Sequence, residues 1–144
     1  MKDPTRAPFY ACLYHGLCVV ARKHGYALAM HGTVTSDLDL VAIPWTDEAV
    51  GPIELKDALM KHIGACDYEG ITRRQFPDNP DFVKQIVDAE NARPGREPHD
   101  ADGACIKPHG RRAWNLYMDF GAKVDLSVMP RTMPNTPGDD AAFN

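Results

Sequence analysis

Two runs that read as β-strands carry aspartate in an otherwise apolar interior. Residues 38–43 run Leu-Asp-Leu-Val-Ala-Ile and stop at Pro44, and residues 123–129 run Lys-Val-Asp-Leu-Ser-Val-Met. Successive strand residues point to opposite faces, so residues two apart share a face, roughly 6.6 Å apart along the chain. Asp37 and Asp39 thus face one way while Leu38 and Leu40 face the other, and Asp125 shares its face with Ser127. Aspartate is depleted in strands and rarely buried unpaired, and like charges on one face repel. A hard divalent cation with oxygen ligands offsets that cost. If the two runs are neighbours, three carboxylates converge, enough for one or two Mg²⁺ ions. The plainer alternative has Asp37 and Asp39 lining the solvent side of an edge strand, and spacing alone leaves both open.

The 144 residues suit one domain, which residues 1–130 are expected to form, with 131–144, interrupted by Pro134 and Pro137, as a flexible tail. A chain this long buries enough apolar surface to fold without disulfides or structural zinc. Its four cysteines (12, 18, 66 and 105) form no C-x-x-C pair and read as reduced, mostly buried thiols. No apolar run approaches a membrane span and the N-terminus lacks a signal pattern, so the expected location is the cytoplasm, with no membrane partner.

Helices are expected over 9–24, with Leu13, Leu17, Val20 and Ala21 on one stripe, over 52–63, and over 80–92 with Asn79 as N-cap. Strands are expected over 26–30, 38–43, 113–119 and 123–129, the last two joined by a turn at Phe120-Gly121-Ala122. Residues 67–78 suggest a short strand around Ile71 and Thr72, and 93–103 reads as a mobile loop. The fold class that follows is α+β: a small mixed sheet with helices packed on one face and a terminal β-hairpin.

Net charge is −4, which argues against nonspecific coating of nucleic acid. The charge is uneven. Residues 78–104 hold seven Asp/Glu against three Lys/Arg, whereas 105–131 hold five basic residues against two acidic. Lys107, His109, Arg111 and Arg112 lie together beside Gly110, where they suit phosphate contacts or, more plainly, a solvated basic turn. Trp45 and Trp114 read as packing at sheet ends rather than as stacking platforms.

Gly32-Thr33 closes the first strand, and a glycine there lets backbone N–H groups approach a phosphate. The order helix, strand, Gly32-Thr33, then Ser36-Asp37-Leu38-Asp39-Leu40-Val41, and later Val124-Asp125-Leu126, resembles the DNA polymerase beta-like nucleotidyltransferase superfamily. It looks most like the short stand-alone members found in bacterial and phage genomes. The resemblance covers about residues 9–65 and 105–130 and implies a palm-like fold, with 67–104 as an insertion.

It further implies that Gly32, Thr33 and Ser36 meet the phosphates of a nucleoside triphosphate, and that Asp37, Asp39 and Asp125 ligate Mg²⁺ or Mn²⁺. Asp125 would also help deprotonate an acceptor hydroxyl. Thr33 stands where the family usually has serine. Only four residues separate Gly32 from Asp37, fewer than the family places there, so Lys107, His109 and Arg111 are expected to supply phosphate binding. The acceptor stays open among a small molecule, a protein and an RNA end. A protein acceptor would imply a helical partner, as in toxin–antitoxin pairs, and a homo-oligomer is also compatible. A catalytically degenerate nucleotide- or metal-binding module is the alternative, and a metal-dependent hydrolase or nuclease is a third reading.

Overall fold

The computed structural model describes residues 5–131; the expected tail falls almost wholly outside them. Helix α1 (Ala7–Lys23) has Pro8 in its first turn and buries Tyr10, Leu17 and Ala21 along one stripe. It ends at Gly25, whose φ of +85° would be strained for any side chain, and whose missing Cβ leaves room for Ala49. Strand β1 (Tyr26–His31) follows, then β2 (Leu38–Pro44). Helix α2 (Pro52–Ile63) has proline in its first turn and a left-handed cap at Gly64.

The stretch expected as a strand around Ile71 is helix α3 (Tyr68–Gln75). Local capping outweighs the β-branched pair there: the Asp67 carboxylate accepts the Gly70 N–H at 2.8 Å, and the Thr72 hydroxyl donates to the Tyr68 carbonyl. Helix α4 (Pro80–Asn91) has Asn79 as N-cap, as the sequence suggests, with its side chain accepting from Phe82 N–H. Strands β3 (Cys105–Ile106), β4 (Arg112–Tyr117) and β5 (Lys123–Val128) complete a mixed five-stranded sheet, ordered β1-β2-β5-β4-β3. Only β2 and β5 run parallel.

One face of the sheet carries Leu38, Leu40, Val124, Leu126, Leu116 and Trp114, buried with the apolar stripes of α1 and α2. Helices α3 and α4 pack on each other and α3 packs against β4, with Thr72 and Val83 buried and Phe76 edge-on to Phe82. The β4–β5 hairpin turns through Phe120 and Gly121, both at positive φ, with the Ala122 N–H bonded to the Asp119 carbonyl. That is the primed turn whose twist matches antiparallel strands. His109 and Gly110 repeat the two positive φ values between β3 and β4.

Two expectations about single residues change. Trp114 is buried, beneath the Arg112 guanidinium and the Lys56 ammonium, but Trp45 is 77% exposed and packs no sheet end. The cysteines are unpaired but not mostly buried: Cys12 is exposed and the other three are partly so. No helix among the described residues is long and apolar enough to cross a membrane.

Tyr10 ties the helical layer to the strand ends that carry the aspartates. Fully buried, its hydroxyl donates to the Ser36 carbonyl at 2.6 Å and accepts the Lys123 N–H at 3.1 Å. Tyr10→Phe leaves both backbone groups without that partner and is expected to cost about 1–3 kcal/mol. Urea unfolding of the two proteins measures it, and an unchanged midpoint would contradict the bridge.

Candidate active site

The register of the sheet sets the site. Asp39 on β2 stands directly beside Asp125 on β5; His31 on β1 pairs Asp39 from one side, and Asn115 on β4 pairs Asp125 from the other. These four form a polar row across the face opposite α1 and α2. Neither carboxylate of the central pair has a hydrogen-bond or ion-pair partner among the described residues. Burial raises the Asp125 carboxyl above the ordinary carboxylate range and the Asp39 charge raises it further, against the pull of Lys123, Lys107 and His31.

Gly32 closes the corner. Its φ is +68°, which glycine adopts without strain, and a Cβ built there would stand 2.9 Å from Asp39 Oδ2, so a side chain at this position would push the carboxylate aside. Asp37, just before β2, is ion-paired to Lys123 Nζ at 3.3 Å. Asp39 and Asp125 therefore meet while Asp37 is held by a cation one register step away. Among the described residues no three His, Cys, Asp or Glu side chains are gathered as a metal-ligating group. The pair, with the glycine against it, is nonetheless a donor set that suits a hard divalent cation, with two carboxylates and remaining positions for water or phosphate oxygens.

The other expected binding residues are spread along this face. Thr33 and Ser36 are exposed in the β1–β2 turn. Arg111 reaches Ser127 Oγ at 3.4 Å, one step along β5 from Asp125. Lys107 lines the same cleft as Asp125 and is ion-paired to Glu97. His109 is exposed at the tip of its turn and lines neither cleft, and Arg112 is turned to the opposite side, bonded to Asp100 and Asp102.

Two clefts flank the carboxylate row. One, of about 480 Å³, lies between β3–β5 and the 67–107 segment and is lined by Asp125, Asn115, Lys107, Arg96, Arg93 and Tyr68, among others. The other, of about 470 Å³, lies between α3 and the β4–β5 turn and holds Asp37, Lys123, Ile71, Tyr117, Met118 and Phe120. Residues 93–103, read from sequence as a mobile loop, wall the first cleft and are pinned by charge. Glu90 pairs with Arg93 and Arg96, and the Asp100 carboxylate accepts from the Ala104 N–H and the Arg112 guanidinium. Those bonds hold the Asp100 carboxyl below its usual range although burial pushes it up.

Sequence reasoning passed over Lys123, His31, Asn115 and Tyr10. Lys123 left a signal, standing two residues before Asp125 and so on its face. His31 and Asn115 enter only through cross-strand register, which a single sequence does not show. Comparison with protein-family models, curated proteins and solved structures gives no match to this chain.

A raised carboxyl proton affinity in the folded state means stability falls as pH climbs from the ordinary carboxylate value, about 4, through the raised one. Asp125→Asn removes that dependence. In metal-free buffer the variant is expected to melt above wild type at pH 7, with the gap closing below pH 4. A lower melting point at pH 7 would contradict the like-charge account.

Proposed function

We propose that this chain is a divalent-metal-dependent nucleotidyltransferase, moving a nucleoside monophosphate from a triphosphate to a hydroxyl-bearing acceptor. The observation that carries the reading is the pair Asp39 and Asp125, side by side in register, with no hydrogen bond or ion pair to either among the described residues and with Gly32 packed against one of them. Two strand carboxylates that repel in a half-buried site are costly to keep unless something cationic joins them. The sequence resemblance to polymerase beta-like enzymes points the same way.

In this reading Asp39 and Asp125 hold Mg²⁺ or Mn²⁺, which when bound stabilises charge on the attacking and leaving oxygens of an in-line displacement. Asp125 would also receive the acceptor's hydroxyl proton, the role the family resemblance gives it. Lys123 and Lys107 both act on the Asp125 charge, and they offer cations to a phosphate chain laid across the row. Asp37 holds Lys123 in place and becomes available as a further ligand when that lysine turns to phosphate.

A second reading has its own support. The Asp37–Lys123 ion pair and the four-residue link from Gly32 to Asp37 suit a binding module of the same fold that has lost turnover. It binds metal and nucleotide without transferring anything.

Incubation with each α-labelled nucleoside triphosphate, Mg²⁺ or Mn²⁺ and cell extract separates the two. Label transfer to a product is expected for wild type, reduced about a hundredfold or more in Asp39→Asn/Asp125→Asn. Absence of transfer with every triphosphate removes the enzyme and leaves the binding module.

A further inference from the structure

The β4–β5 turn carries a residue that its own energetics disfavour. Phe120 has a φ of +61°, a conformation that glycine or asparagine adopts at less cost, and position one of a primed turn usually holds Asn, Asp or Gly. Burial does not compensate, because Phe120 is 95% exposed. The strained backbone is held from outside: Arg6 at the start of α1 donates from Nη2 to the Phe120 carbonyl at 2.8 Å, and Met118 N–H bonds the Ala122 carbonyl at 2.9 Å. Strain fixed by its surroundings around a ring that packs on nothing is the pattern of a side chain held ready for a ligand.

The ring's location narrows the ligand. Phe120 lines the 470 Å³ cleft with Ile71, Tyr117 and Met118, and the same cleft holds Lys123 and Asp37. An apolar, aromatic-bearing wall thus adjoins a lysine two residues along β5 from the Asp125 corner. That combination fits a flat heteroaromatic group attached to phosphate. We propose that the cleft between α3 and the β4–β5 turn receives the nucleobase of the nucleotide substrate, with Phe120 as its stacking surface. The inference rests on the nucleotidyltransferase reading and adds the side of the carboxylate row on which the nucleotide lies. The cleft beside Asn115 and Arg96 is then left to the acceptor.

The test uses nucleosides, which carry no phosphate and need no metal, so its failure is separable from failure of the transfer chemistry. Phe120→Trp in a Trp45→Phe background places an indole at the turn. Adenosine, guanosine, cytidine and uridine are titrated in EDTA, with ribose as control, into this protein and into the same protein carrying Asp39→Asn/Asp125→Asn. At least one nucleoside is expected to quench the fluorescence saturably in both, and ribose in neither. Phe120→Gly, which relieves the positive φ, is expected to melt at or above wild type. Its affinity for that nucleoside, read by calorimetry against wild type, is expected to fall about tenfold or more. No quenching by any nucleoside overturns the proposal, as does unchanged affinity in Phe120→Gly. Transfer activity in wild type alongside either result removes only the base site and leaves the enzyme standing.

Discussion

The parallel pairing of β2 with β5 is the constraint on which the rest of the site depends. Leu38, Leu40, Val124 and Leu126 are each at most 1% exposed, and the register that buries them sets Leu38 against Val124 and Leu40 against Leu126. Full burial of such side chains stabilises by roughly 1.5–3 kcal/mol apiece. Repulsion between two partly solvated carboxylates at close range is on the order of 1–4 kcal/mol. The core therefore wins, and the odd-numbered positions follow: Asp39 beside Asp125. A one-residue slip of either strand would relieve the charges only by turning that strand's apolar residues outward. The carboxylate pair is the residue of a hydrophobic bargain made on the opposite face.

Much of this was legible in the sequence because it is local. The apolar stripe of α1, the proline starts of α2 and α4, and the alternation of β2, β4 and β5 all announce themselves within a dozen residues. The α+β class followed from those patterns, whereas the adjacency of the two aspartate strands stood in the sequence only as a condition and is given by the β2–β5 pairing. What was misread needed information from elsewhere in the chain. Ile71 and Thr72 look like strand residues until the Asp67 cap is counted. Residues 93–103 look loose until Asp100 and Asp102 are seen bonded to Arg112, ten or more positions away. The polar row from His31 to Asn115 is written in cross-strand register and in no single segment.

The resulting site is divided in function along the sheet. The β1–β2 turn brings backbone, through Gly32, to the carboxylate corner. The β4–β5 hairpin brings Lys123 and an exposed aromatic ring, and the 67–107 segment builds a charged wall across from Asp125. Tyr10 joins two of these parts, since its hydroxyl holds both the turn before β2 and the first residue of β5. A core residue thus positions the two strand ends that carry Asp37 and Lys123.

We propose that Asp39 and Asp125 together form a divalent-cation corner. Titration of Mn²⁺ into metal-free protein, followed by the electron paramagnetic resonance signal of the free ion, tests it most directly. The account predicts saturable Mn²⁺ binding to wild type that Mg²⁺ displaces and that Asp39→Asn and Asp125→Asn each abolish. Binding that survives both substitutions, or no binding by a folded wild-type protein, would contradict it.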